Sequence, residues 1–427
     1  MVSTETILLF IGIIIFMAHV FKAFFESTKI PDVLLLILLG FCITASGFDS
    51  AEFRSSGTIL FEMALALILF EAGIHLKFHS LYVSIKKFSG LIFSTFILSA
   101  LVTFIITHYL FFFSFKDAVI LGAIMASISP AVVIPLIESM NISEKLKSAI
   151  IVESTITDVI SIFLVISLMY LPNYENFEIT SFLKSLIFLI LKSTGIGMLA
   201  AIIWSCIFLK LRSFPNTIFT SIAFILILFG ISHYINASSP ITVLFFSMTI
   251  SLPADSKLRL FFKKIKINII EFLDTEKILY NEVIFIVKTF FFVYLGIEMS
   301  SFLGSFSAIK FSFYYAQSII VTISIFAVRY LVLTILNGKN ENNLPLLAMV
   351  PKGLAAAVLI SLYVSKNNIE NYDNIYFLTY GVILNSIIIT SSVVYYTEKK
   401  RLKSDIDETQ NNSKNIIKTN ESSEPIK

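Results

Sequence analysis

The chain has little charge, few cysteines and a single tryptophan. Only 14% of its 427 residues are charged, whereas a soluble domain carries roughly 25%. The net charge of +3 is too small to indicate a nucleic-acid partner. Cys42 and Cys206 lie in apolar runs, which indicates neither a disulfide framework nor a metal cluster. With 56% hydrophobic residues and a mean hydropathy of +0.87, the sequence predicts an all-α polytopic membrane protein.

Motifs of enzyme chemistry are also missing from the sequence. It contains no metal-ligand spacing of His, Cys and Asp, no nucleophile elbow and no glycine-rich phosphate loop. We therefore predict that the protein is not an enzyme and needs no cofactor.

Runs of about 20 apolar residues, the length that crosses a bilayer as a helix, recur along the chain. Lys and Arg concentrate in alternate connections between them. The positive-inside rule then places the N-terminus outside and the C-terminus in the cytoplasm of a cell-membrane protein. We predict a transmembrane domain over 1–398, a basic amphipathic cytoplasmic linker within it at 253–279, and a disordered cytoplasmic tail over 399–427. The thirteen predicted spans begin near residues 5, 31, 57, 89, 117, 147, 180, 214, 239, 280, 310, 343 and 374.

Two of these spans are interrupted by proline. Pro130 lies in the fifth span, and Pro351 lies in the twelfth, closely followed by Gly353. With the seventh span as a connector, each proline occupies the fifth helix of its half. The sequence therefore predicts two inverted six-helix repeats with discontinuous crossing helices 5 and 12, an arrangement that marks a transporter site at the membrane midplane. The alternative is that both prolines are simple kinks, which membrane helices tolerate.

Two carboxylates, Glu153 and Asp158, lie in the sixth predicted span. Intramembrane acids are costly and usually mark an ion or proton path. They are five positions apart, so they point about 140° apart around the helix axis and should have different roles. We assign Asp158 to the ion site, with Ser154, Thr157 and Ser129 as oxygen donors. A carboxylate can hold either a hard cation such as Na⁺ or a proton, and competition for one charge provides coupling.

Basic residues in other spans are candidate partners for these acids. Arg329, in the eleventh span, is the predicted ion-pair partner of Glu153, because a guanidinium can bind a carboxylate through two hydrogen bonds. Its alternative position is at the membrane surface, with the side chain reaching the lipid headgroups. Lys352, beside Pro351, and Lys288, in the tenth span, are candidates for charge compensation. Lys352 could equally be a residue close to a loop.

Together, the segments around the two prolines, the two acids of the sixth span and Arg329 resemble the monovalent cation/proton antiporter superfamily, closest to its electroneutral sodium/proton branch. The resemblance covers essentially the whole membrane part of the chain. It implies that Asp158 alternates between Na⁺ and a proton, that Glu153 pairs with Arg329, and that the protein is a homodimer in the lipid membrane. The matching segments are 129–133, 153–158, 290–296, 329–330 and 349–354.

Two positions depart from this branch. Thr157 replaces the usual Asn, and Ile128 and Ser129 replace a Thr-Asp pair found before the proline in many electroneutral members. Because residue 157 is not an aspartate, the chain is similar to the single-carboxylate type, which implies one cation per proton. We expect exchange of Na⁺, and of Li⁺, for H⁺. The alternatives are a K⁺/H⁺ antiporter and a membrane sensor that retains the fold without transport.

Overall fold

A computed structural model describes residues 4–28, 31–45, 50–75, 78–138, 140, 142–169, 179–211, 218–252, 274–305, 308–337, 344–367 and 372–421. Within these ranges the regular structure is entirely helical, without a strand. A π-helical turn, Ile106–Leu110, follows the fourth helix. The helices are α1 (Thr4–Thr28), α2 (Asp32–Ala45), α3 (Ser50–His75), α4 (Phe78–Ile105), α5 (Phe115–Met125), α6 (Pro130–Glu138), α7 (Glu144–Met169), α8 (Ile179–Leu211), α9 (Ile218–Tyr234), α10 (Ser239–Ile250), α11 (Asp274–Ser305), α12 (Ala308–Asn337), α13 (Leu344–Ala348), α14 (Leu354–Asn367) and α15 (Tyr372–Glu421).

The helices confirm the prediction of an all-α polytopic membrane protein. Eight segments of the described chain are long and apolar enough to cross a bilayer, and four shorter apolar helices accompany them. Each of the thirteen predicted spans falls on one helix or on one broken pair, α5 with α6 or α13 with α14. The number of complete crossings stays a prediction, because α10 has 12 residues and a helix of that length covers only about 18 Å of a 30 Å hydrocarbon core.

The boundaries of the predicted linker and tail stay a prediction. Residues 253–273 and 422–427 lie outside the described residues, and 274–279 already form the first turns of α11. The last helix continues past 398 to Glu421, where the polar sequence predicts disorder. No proline or glycine occurs between 382 and 421, so no residue in this segment strongly opposes the helix.

Reciprocal helix pairs reflect the predicted inverted repeats. Under the repeat, the second span corresponds to the ninth and the third span to the tenth. The structure packs α2 (second span) along α11 (tenth span), and it packs α10 (ninth span) along α3 (third span). Matching helices of the two halves thus form equivalent pairs. Both contacts bring backbones close together, at Gly40 against Gly296 and at Gly73 against Ser247. Small residues permit such close approach between membrane helices.

The contact between α2 and α11 gives a stability prediction. A Cβ atom on Gly40 would overlap the Val293 carbonyl oxygen and come within 2.8 Å of the Gly296 Cα. Because both obstacles are backbone atoms, Gly40→Ala should force the helices apart and lower the melting temperature of the purified protein clearly. Gly12→Ala is the matched control, since nothing lies within 4 Å of its added methyl. Equal melting temperatures for the two variants would contradict the close packing.

Candidate ion-binding site

The two proline breaks lie against each other in the interior. The Ser129 amide donates a hydrogen bond of 2.8 Å to the Pro351 carbonyl oxygen. From the second break, the Lys352 ammonium donates one of 2.6 Å to the Ser127 carbonyl oxygen in the first. Gly353 has no room for a side chain, because a Cβ atom there would overlap the Ser129 hydroxyl. Residues 126–129 and 349–353 therefore form one buried unit, here called the junction.

Matching helices hold the two sides of the junction. The Ile128 amide donates to the Thr157 hydroxyl on α7, at 3.2 Å. The Lys352 amide donates in the same way to the Ser386 hydroxyl on α15, at 2.9 Å. The helices α7 and α15 are the sixth helices of the two halves, so the contacts correspond under the inverted repeat. They satisfy backbone groups that the broken helices leave without partners, which is how membrane proteins tolerate irregular backbone at depth.

This contact changes the expectation for Thr157, which we predicted as an oxygen donor to the ion. Its hydroxyl donates to the Glu153 carbonyl oxygen at 2.9 Å and accepts from the Ile128 amide. Both interactions are with backbone, so the side chain is engaged in positioning the first break. Its role as an ion ligand stays a prediction, because a hydroxyl oxygen that accepts one amide keeps a second lone pair.

Asp158 is 8% exposed and lies on α7 one residue beyond Thr157. In the described part of the chain, its carboxylate makes no hydrogen bond and no ion pair. Lys352 interacts electrostatically with it from the junction. One turn earlier, the buried Ser154 hydroxyl donates to the Ile151 carbonyl at 2.9 Å and keeps its oxygen lone pairs available.

Glu153 has a different environment. The Arg329 guanidinium binds its carboxylate through both terminal nitrogens, with 2.7 Å between Nη2 and Oε2. The Arg329 side chain is completely buried, so it does not reach toward lipid headgroups. Its remaining donors contact the Leu346 carbonyl oxygen at 3.0 Å and the Thr95 hydroxyl at 3.1 Å. The pair therefore joins α7 to α12, α13 and α4.

Hydroxyl groups that the sequence reasoning missed support this core. Ser161 on α7 donates to the Ala123 carbonyl oxygen of α5, and Thr390 on α15 donates to the Ala348 carbonyl oxygen of α13, both at 2.8 Å. Thr95 begins a set of buried hydroxyls that recur every fourth residue along one face of α4 and into the π-helical turn that follows it. That spacing was a usable signal for a polar helix face turned inward. The set is Thr95, Ser99, Thr103 and Thr107.

Lys288, a candidate for charge compensation, pairs with a residue outside the junction. Its ammonium lies 2.5 Å from the Glu71 carboxylate on α3. It also lines a cavity of about 400 Å³ between α1, α2, α6 and α11. The structure thus brings Lys352 to the junction and Lys288 to a separate ion pair.

Comparisons with known proteins identify the family and the fold. A family profile described as "Sodium/hydrogen exchanger, transmembrane" matches residues 11–397. The fold is similar to the sodium proton antiporter MjNhaP1 from Methanocaldococcus jannaschii at pH 8, with 19% identity, a TM-score of 0.68, and coverage of 91% of this chain and 96% of that one. An electron-microscopy structure of the same antiporter matches with 19% identity, a TM-score of 0.66, and coverage of 93% and 98%. The chain belongs to the sodium/hydrogen exchanger family of membrane transporters.

Proposed function

We propose that this protein exchanges Na⁺, and also Li⁺, for H⁺ across the cell membrane by alternating access, with one cation per proton. The observation that carries the proposal is the contrast between the two acids of α7. Glu153 is neutralised by Arg329, whereas Asp158 has neither a hydrogen bond nor an ion pair among the described residues. Only Asp158 is therefore free to exchange its counter-ion.

Coupling follows from the cost of a buried charge. An empty Asp158 carboxylate is an anion in a low-dielectric interior, and moving it across the membrane is unfavourable. A bound proton or a bound monovalent cation neutralises it, so only the two loaded forms change sides. Because both occupy the same carboxylate, one ion must leave before the other binds.

Oxygen atoms around Asp158 would complete the shell of a cation. The Ser154 and Ser129 hydroxyls keep lone pairs available, and in the described residues the Ser129 hydroxyl makes no hydrogen bond. Carbonyl groups at the end of α5 carry the partial negative charge of a helix C-terminus. The Lys352 ammonium binds one of them, at Ser127, and so limits the net negative charge of the site.

The proposal also includes the setting of the site. We place the N-terminus outside and the C-terminus in the cytoplasm, because Lys and Arg concentrate in alternate connections. We further propose a homodimer in the lipid membrane, in keeping with the antiporter resemblance.

Transport by the purified protein in proteoliposomes tests the exchange. A pH-sensitive dye should report proton movement when Na⁺ or Li⁺ is added, and little movement with K⁺. Clamping the membrane potential with valinomycin and K⁺ should leave the Na⁺ signal unchanged, because one-for-one exchange moves no net charge.

Each other result has a distinct meaning. A response to K⁺ alone would favour K⁺/H⁺ exchange, and a rate that follows the voltage would contradict equal stoichiometry. Silence with all three cations, in a protein with a cooperative melting transition, would favour a sensor that keeps the fold without transport.

A further inference from the structure

The cavity between α1, α2, α6 and α11 lies between a membrane face and the junction. Three charged residues near helix ends line the side of the cavity that is closer to the membrane face. They are Lys22 near the end of α1, Asp32 at the start of α2 and Glu138 at the end of α6. Ala131 also lines the cavity, two residues after Ser129 of the junction. The cavity therefore follows α6 along its length, about 10 Å at the rise of an α-helix.

Charged groups of both signs line this cavity. The Asp32 carboxylate accepts the Val33 amide at 2.9 Å and interacts electrostatically with Lys22 and Lys288. Neither lysine is bound to it directly in the described structure. Lys22 lies over the Phe285 ring at 5.0 Å from its centre, and Lys288 pairs with Glu71. The Asp32 carboxylate thus keeps lone pairs available in a cavity that is large enough to admit an ion.

A buried hydroxyl on the same wall has no hydrogen-bond partner in the part of the chain that the structure describes. Thr289 is 1% exposed and lines the cavity beside Lys288. Its hydroxyl oxygen makes no hydrogen bond to any described residue. A buried polar group without a hydrogen bond is destabilising, so such groups usually bind water or an ion. A carboxylate and a hydroxyl are both suitable ligands for a small hard cation.

We propose that Asp32 and Thr289 form a transit site, which holds the transported monovalent cation between the membrane face and Asp158. This inference rests on the proposed function. A carboxylate in a confined cavity raises the local concentration of cations and speeds their arrival. Binding at such an intermediate site must also be weak enough for the ion to move on. Lys288 would weaken the binding of the cation, because its positive charge repels a cation at Asp32.

Transport kinetics in proteoliposomes test the assignment. Asp32→Asn removes the charge but keeps an oxygen that can accept the Val33 amide, and Thr289→Val removes the hydroxyl at nearly constant shape. Each should raise the KM for Na⁺ about five- to tenfold with the maximal rate retained, since the site acts on arrival. Lys288→Gln should instead lower the KM and slow the maximal rate, an opposite change that general structural damage would not produce. Glu62→Gln, at an exposed acid of α3, is the control and should change neither value.

A binding measurement separates this site from the main one. In Asp158→Asn protein, Na⁺ should still raise the melting temperature relative to choline, and adding Asp32→Asn should remove that rise. If the parent exchanges Na⁺ for H⁺ but both Asp32→Asn and Thr289→Val keep its KM, the transit site is wrong and the proposed function stands. If the parent moves no cation at all, the proposed function fails. No Na⁺-dependent stabilisation of Asp158→Asn would likewise overturn the transit site.

Discussion

Asp158→Asn is expected to abolish cation-driven proton movement while the protein remains folded. The amide has nearly the same shape as the carboxylate, but it can neither carry a proton at this position nor neutralise Na⁺. In the described structure the side chain makes no hydrogen bond or ion pair, so the substitution removes only its electrostatic interaction with Lys352. We expect a change in unfolding free energy within about 1 kcal/mol. Dye-loaded proteoliposomes measure the transport, and a melting curve measures the fold.

Ser154→Ala provides a graded comparison for that result. It removes one proposed cation ligand and leaves the carboxylate, so the KM for Na⁺ should rise while exchange continues. Among the described residues, the Ser154 hydroxyl makes its one hydrogen bond to the Ile151 carbonyl oxygen of the same helix, so little stability is at risk. Na⁺-driven proton flux in Asp158→Asn at the rate of the parent would remove Asp158 from the transport cycle.

The spacing of the acids carried most of the information about the site. Two carboxylates five residues apart on one helix cannot face the same partner, and the structure places Glu153 against Arg329 and Asp158 beside the junction. The prolines were equally informative, because a break deep in a membrane helix must find backbone partners. Their mutual contact through Ser129 and Pro351 follows from that need.

Contacts between distant spans could not be predicted in the same way. The position of Lys288 within the tenth span indicated a candidate for charge compensation. No periodicity in the sequence indicated that its partner would be Glu71, in the third span. The contact of the Thr157 hydroxyl with the Ile128 amide could not be foreseen either, because the sequence pattern fits a hydroxyl that serves the ion and one that serves the backbone. Asp32 was overlooked because an aspartate at a helix start is explained by capping alone.

Separating Glu153 from Arg329 should cause the largest loss of stability in the molecule. Glu153→Gln leaves a buried guanidinium without its counter-ion, and Arg329→Ala leaves a buried carboxylate and removes the contacts to Leu346 and Thr95. Removing one partner of a buried ion pair typically costs about 3–5 kcal/mol. Melting curves of the purified variants should show both losses, with Arg329→Ala the more damaging because it also empties a fully buried volume.

The double variant separates the charge from the packing. Glu153→Gln together with Arg329→Met places two neutral side chains at the contact between α7 and α12 and leaves no buried charge there. It should be more stable than either Glu153→Gln or Arg329→Met alone, because the penalty of each single variant is the charge that it leaves behind. Strictly additive losses would mean that the two residues act independently. With the pair neutralised and Asp158 intact, the double variant should still exchange Na⁺ for H⁺, since we propose that the transported ions bind at Asp158 and not at the pair.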